Sequence, residues 1–437
     1  MRKICLTLPT NRACADTLSA VIEEARYAVE RFDVEVRVLV LDSSDAHDFA
    51  AHAQVVRAAR RVPKVSLWHL DEAYQRSFLN GVIRRAGLDR QSRLPGLMLP
   101  AGVSYGACTN RAFLFGAALG CESVHRRDSD SRYQVVDDAK VFPIHHELAS
   151  LGKSAADAAP GVSESELDPG LAERPVVLVG GSFVGEPSVD IEEIHRLDED
   201  VYYDIVSLWA PAHASEEEKR NLVKESFRGS GAGPFARDHS TLTVLDPMRV
   251  DMCNIGFSRV HEQIPLLPAT DTIGSDYFLL HVVHAAGLPA VQHNRDIMNF
   301  HTPERRTESG FVGYQLRLVK FFLSMQYLNF IYGRMKTAGE SLCDERDHVR
   351  ASAISAVVRE SLELDDEENV LRLDCLQRGY RKLGGKYTKL AEILASRGSH
   401  LLSEARQDIA DFALLIDHWE RLMSASREAD LVSPPGG

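Results

Sequence analysis

An α/β fold with a mostly parallel sheet and flanking helices, followed by an all-helical C-terminal domain, is predicted for this 437-residue chain by three observations. The first third alternates short apolar runs with amphipathic helical stretches, the pattern of parallel strands whose crossover helices cover both faces of a sheet. From about residue 309 the strand signal stops, and apolar residues recur at helical spacing through residue 424. A composition of 44% hydrophobic and 26% charged residues supplies core material for two or three domains.

The elements follow in order. Ile4–Leu8 reads as a first core strand, about Ala15 to Arg31 as a helix, and Val34–Leu41 as a second strand closing on Asp42-Ser43-Ser44-Asp45. A helix over about Asp48–Arg61 and a strand over Val65–Leu70 complete the alternation. In such sheets ligands bind at the carboxyl ends of strands, which here read Pro9-Thr10-Asn11-Arg12 and Asp42-Ser43-Ser44-Asp45. A helix over about Gly106–Leu119 precedes Cys121–Tyr133, whose apolar start and polar end predict a short strand running into a site loop. Residues 151–174, rich in Ala, Ser, Gly, Pro and Glu, predict a surface loop or insertion. Pro175–Val179 reads as a buried strand ending at Gly180-Gly181. Helical segments are expected at about 310–338, 349–363, 365–379, 385–397 and 400–424, before a frayed, disordered tail over 428–437.

Fifty basic against 63 acidic side chains give a net charge of −13, a field that repels phosphate backbones and anionic lipid. Nucleic acid and membrane surfaces are therefore not expected partners. A small nucleotide stays compatible, because a divalent cation and a few local arginines can neutralise a diphosphate. The most apolar stretch, Val312 to Met335, is interrupted by Arg317, Lys320, Gln326, Asn329 and Arg334, which argues against a membrane span. Seven scattered cysteines without C-x-x-C spacing indicate neither a disulfide framework nor a zinc knuckle, and the cytoplasm is the expected compartment.

The sharpest chemical signal is Asp128-Ser129-Asp130 after a strand. Two carboxylates one residue apart on a loop can turn toward one hard cation, Mg²⁺ or Mn²⁺, shared with phosphate oxygens; a solvated acidic turn is the alternative. Arg126, Arg127 and Arg132 flank the motif and either touch phosphate or pair with its carboxylates and Glu122. Asp42 is either a ligand contact or a turn cap. His145-His146-Glu147, taken as strand residues, would point to opposite faces, which disfavours a metal site. Gly229-Ser230-Gly231-Ala232-Gly233 lacks the Gly-Lys-Ser/Thr ending of a P-loop and reads as a mobile loop. Gly180–Gly185 either brings backbone close to a ligand or makes a tight turn. The acidic run from Glu192 to Asp204 reads as a solvated helix face, and the aromatic segment Phe311–Tyr332 as core or the interface of a homodimer.

Taken together these segments resemble the GT-A fold of nucleotide-sugar glycosyltransferases, family-two-like members in particular. The matching pieces are Ile4–Pro9 with its helix, Val38-Leu39-Val40-Leu41-Asp42, Gly106-Ala107-Cys108-Thr109-Asn110-Arg111, Asp128-Ser129-Asp130, and then Cys253–Arg259, Gly274–Leu279 and Asn299-Phe300-His301. The resemblance implies a nucleotide-sugar-binding half over 1–135, an acceptor-binding half over 136–309 and a helical domain over 310–427. It implies donor contacts from Pro9, Asn11, Arg12, Asp42, Asn110, Arg111, Asp128, Ser129 and Arg305, with Arg306 beside it. Asp128 and Asp130 would hold Mg²⁺ or Mn²⁺ with His301, and Asp276 would be the catalytic base of an inverting transfer. Ser275-Asp276 replaces the more usual acidic pair there. UDP is the implied nucleotide, and the whole chain looks like actinobacterial transferases of aminocyclitol and aminoglycoside antibiotic pathways. A nucleotidyltransferase would need a Gly-rich phosphate loop after the first strand, where Leu8-Pro9-Thr10-Asn11-Arg12 has no glycine; a non-catalytic sugar-nucleotide-binding scaffold is the alternative outside enzymes.

Overall fold

The computed structural model describes residues 1–89, 93–187, 189, 191–230 and 233–431, with the side chains of Glu304 and Arg306 excepted. The Arg306 side chain, Gly231 and Ala232 of the glycine-rich loop, and most of the predicted tail lie outside the described residues. The chain opens with β1 (Arg2–Thr10), α1 (Ala15–Arg31), β2 (Val34–Asp42), α2 (Ala46–Ala58), β3 (Val65–Leu70) and α3 (Glu72–Arg85). It continues with α4 (Tyr105–Ala118) and β4 (Ser123–Arg127), then β5 (Glu164–Ser165), β6 (Leu178–Gly180), β7 (Ser240–Thr243), β8 (Asn254–Ser258), α5 (Phe278–Ala285) and β9 (Ala290–His293). The nine strands form one sheet in the order β3-β2-β1-β4-β8-β6-β9-β7-β5. Pairs β3/β2, β2/β1, β1/β4, β6/β9 and β7/β5 are parallel, whereas β8 runs antiparallel to both its neighbours and β7 to β9. The expected mostly parallel α/β sheet is therefore present.

Strand alternation distributes the core. Ile4, Leu6 and Leu8 of β1 face one side and join Val36, Val38, Val40 and the apolar stripe of α1, Leu18, Val21 and Ile22. Cys5 and Leu39 point the other way into a larger core shared with α4 and the C-terminal helices. Because helices cover both faces, β1 is buried almost without a break, as central parallel strands are.

Four helices follow: α6 (Glu308–Ala338), α7 (Ala351–Ser361), α8 (Glu367–Leu383) and α9 (Lys386–Arg427). The expected break near residue 398 is absent, and α9 is one helix of 42 residues, about 60 Å long. Gly398 is there for contact, since a Cβ would lie 2.5 Å from Leu373 of α8. The helical region is fastened to the sheet region by Trp419, whose indole donates to the His261 carbonyl at 3.0 Å, and by Lys320, which donates to the Thr270 carbonyl and pairs with Asp408, both at 2.7 Å. The aromatic segment lies within α6, where Phe321, Phe322 and Tyr327 are buried in this chain's own core and Phe311, Phe330 and Tyr332 are half-buried. No helix among the described residues is long and apolar enough to cross a membrane.

Candidate functional site

The loop after β4 carries Asp128, Ser129 and Asp130. It is held from below by Thr17 of α1, whose hydroxyl donates to the carbonyls of Ser129 and Ser131, and by Ser131, whose hydroxyl donates to the Asp128 carbonyl at 2.8 Å. Alternation along β4 sends the two preceding arginines to opposite faces. Arg127 turns into the core, where it pairs with Glu24 at 2.9 Å and Glu147 at 3.0 Å, and Glu147 also meets His125 at 2.6 Å. Arg126 turns to the site and spans two carboxylates, Asp128 at 3.0 Å and Asp276 at 2.5 Å. Of these two arginines only Arg126 pairs with a carboxylate of the motif, whereas the partners of Arg127 are Glu24 and Glu147. Arg132 lies over the Phe300 ring.

Asp276 is placed by α4. A Cβ at Gly106 would collide with the Leu267 carbonyl, so only glycine lets this helix start against the 264–276 segment. The Gly106 N–H donates to Ser275 Oγ at 3.3 Å, and Asn110 clasps Leu266 through both backbone groups at 2.8 Å. Asn110 is thus fully buried and spent on positioning; the expectation of a donor contact is corrected. Arg111, one residue on, donates to Gln75 and the Met98 carbonyl and still reaches a cavity wall.

Two cavities meet at this loop. One is lined by Pro9, Asn11, Arg12, Ser43, Glu72, Arg111 and the 99–105 segment, and it ends on Asp128, Ser129 and Asp130. The other begins at Tyr105, Asp128 and Asp130 and runs past Asp251, Asp276 and Tyr277 to Trp209, Phe227 and one face of α6. Ser182, Phe183 and Gly229 also line it, which brings the two glycine-containing segments to its wall. Asp130 accepts from Arg12 at 3.1 Å and from Arg305 at 3.0 Å, and Arg305 stacks over Tyr314. Burial, against the pull of Arg126 and helped by the neighbouring carboxylates of Asp130, Asp276 and Asp251, pushes the Asp128 carboxyl up to about 6.

Asp42 is not in either cavity wall. Its side chain is fully buried, with Oδ2 accepting from His52 Nδ1 and His69 Nε2 at 2.7 Å each and Oδ1 accepting from the Ser44 amide and hydroxyl. Despite burial, these donors hold its carboxyl down at about 2. The Cys14 N–H donates to His52 Nε2 at 2.9 Å, so His52 carries its proton on Nδ1. Asp42 holds the turn at Ser44 and, beyond it, two imidazoles that lie 10 and 27 residues further along the chain. Of groups whose ligand atoms cluster within 4.8 Å, the described residues hold Asp42–His52–His69 and Asp45–His47–Asp48, and not Asp128–Asp130–His301. His301 instead directs Nε2 to the Pro187 carbonyl at 2.9 Å and takes Glu186 on its backbone amide. As folded it stands apart from the carboxylate pair.

His145, His146 and Glu147 lie on a helix, Ile144–Ser150, rather than a strand, and are separately engaged by Tyr27, Asp238 and Arg127. The acidic run packs on the helical region through Asp198–Lys382 and Glu193–Lys386 and lines neither cavity. Sequence reasoning missed Glu72, Tyr105, Asp251 and Tyr277. Tyr277 lies inside the singled-out segment Gly274–Leu279, and Asp251, which accepts from its hydroxyl at 2.7 Å, stands two residues before the one that starts at Cys253.

The sequence matches the family of unknown function DUF6271 over residues 2–435. The chain belongs to that family. A search of curated proteins finds no match to this DUF6271 chain. Among solved structures it is similar to the mannosyltransferase PcManGT from Pyrobaculum calidifontis, solved with GDP-Man and Mn²⁺, at 13% identity over 94% of this chain and 88% of that one, with a TM-score of 0.36. It is also similar to mannosyl-3-phosphoglycerate synthase from Rubrobacter xylanophilus, at 14% identity over 73% and 72% of the two chains, with a TM-score of 0.32. At this distance the likenesses bear on neither substrate nor reaction.

Proposed function

We propose that this DUF6271 chain is a GT-A-type, metal-dependent glycosyltransferase that moves a sugar from a nucleoside diphosphate, UDP by resemblance, to a hydroxylated acceptor with inversion. One observation carries the reading: two separate cavities share Asp128, Asp130 and Tyr105 as their common wall. Two substrates held on either side of a carboxylate pair are what a group transfer needs, because their reacting atoms then meet at that wall. The donor takes the cavity built entirely from residues 9–130, within the proposed nucleotide-sugar half of 1–135. The acceptor takes the other, built from the proposed acceptor half of 136–309 with α4, the Asp128 loop and α6.

The donor set fits a hard cation: two carboxylates on one loop, one of them raised by burial and by neighbouring carboxylates and therefore relieved by positive charge. Mg²⁺ or Mn²⁺ held by Asp128 and Asp130 would supply Lewis-acid stabilisation of the departing diphosphate. Arg12 and Arg305 add charge-assisted donors beside it. Asp276 takes the proton of the attacking hydroxyl; Arg126 engages its Oδ2, which leaves Oδ1 for the acceptor. The carboxylates of Asp251 and Asp276 suit an acceptor bearing an ammonium group, as an aminocyclitol does.

Calorimetry of UDP, GDP and TDP with and without Mn²⁺, on the wild type and on Asp128→Ala/Asp130→Ala, tests this. One nucleotide should bind only with Mn²⁺, and the double variant should lose that binding. Unchanged affinity in the variant removes the metal assignment, and a wild type that binds none of the three removes the transferase reading.

A further inference from the structure

The second cavity has two unlike ends. At the shared wall its charged groups are knit together: Arg126 joins Asp128 to Asp276, and Arg305 holds Asp130. Along its other side runs a single face of α6, with Phe321, Met325, Leu328 and Tyr332 at spacings of four, three and four residues. Opposite them Trp209 stacks on Phe227 at 5.1 Å and meets the Phe321 ring edge-on at 5.3 Å. His281 is stacked on Tyr332 at 3.7 Å, and burial pushes its imidazole down to about 3, so it carries no charge there at neutral pH. Glu225 touches the cavity only from the surface, where it pairs with Arg249.

Met325 and Leu328 cannot hydrogen-bond a sugar hydroxyl, so a wholly polar acceptor pressed against them would shed water without compensation. Packed interiors leave few apolar voids without a use. Resting on the transferase reading, we infer that the acceptor is amphipathic: a hydroxylated head at the Asp128–Asp276 wall joined to an aryl or alkyl body seated against α6. The helical region then does more than cover the sheet, since it furnishes the wall that selects the acceptor.

The test compares phenyl β-D-glucoside with methyl β-D-glucoside, titrated by calorimetry into the full chain loaded with Mn²⁺ and its nucleotide. The phenyl compound should bind about tenfold tighter or more, from burial of its ring. Met325→Trp, which fills the cavity, should abolish that preference and leave nucleotide affinity unchanged. A second readout in the folded wild type is indole fluorescence, which the phenyl compound should shift and Trp209→Phe should silence. Equal affinities, or a preference that survives Met325→Trp in a folded variant, overturn the inference. Nucleotide binding in the same samples separates the two readings: its absence defeats the transferase reading, whereas its presence without a ring preference defeats only this one.

Discussion

Asp42 and Asp128 stand near the carboxyl ends of two strands separated by β1, and each opens an Asp-Ser sequence, yet they do opposite things. Asp42 meets two imidazoles and a serine, all donors, and is held down at about 2. Asp128 meets one guanidinium and a crowd of carboxylates around a cavity, and is raised to about 6. One acid is satisfied and closed, and the other is under-compensated and open to ligand. The difference teaches that the function of an acid after a strand is set by what the rest of the fold aims at it, not by its own position in the chain.

That contrast can be broken in three ways. The largest effect belongs to the open site: Asp276→Asn should leave Mn²⁺-dependent nucleotide affinity intact while lowering kcat on the order of 10²-fold or more, because a general base is lost. Near-wild-type turnover would show that Asp276 is not the base. Next, Asp42→Asn should leave nucleotide binding unchanged and cost about 2 kcal/mol of stability at pH 7. Its folded pKa lies below the unfolded 3.8, so the stabilisation is present above pH 3.8 and fades as pH falls toward 2. Urea unfolding across that range checks both, and a pH-independent deficit would mean that the ionised form is not what stabilises. In Asp128→Asn the sign reverses. A folded pKa of about 6 against 3.8 means that ionisation destabilises the chain, so the variant should match wild type below pH 3.8 and become more stable than it as pH rises past 6. A destabilised variant at pH 8 would contradict the burial and crowding described for Asp128.

Much of the fold was legible because local patterns report local burial. The first strand–helix–strand alternation was read within two or three residues, and the limits of α1 and β3 coincide with the reading. Where the sequence misled, a tertiary contact had overruled a local cue. The gap read between 397 and 400 is helix, with Gly398 in contact with α8; His145-His146-Glu147 reads as strand and is helix. The site was half legible. Pro9, Asn11, Arg12, Arg111, Asp128, Ser129 and Asp130 do line one cavity and Asp276 the other, while Arg305, expected beside the donor, lines the second cavity and reaches the shared wall through Asp130. Asn110, Asp42 and His301 do not, since each spends its polar atoms on a partner far away in sequence or on a local turn.

By itself the sequence determined the parallel α/β half, the helical C-terminal region and the carboxylate pair on a loop after a strand, because periodicity and charge spacing are properties of short segments. Only the tertiary structure decided that Arg126 joins Asp128 to Asp276 across 150 residues, that Asp42 is sealed by His52 and His69, and that α6 closes the second cavity. Those are long-range juxtapositions, and the free energy that fixes them comes from the burial of whole elements against one another, which no short window of residues contains.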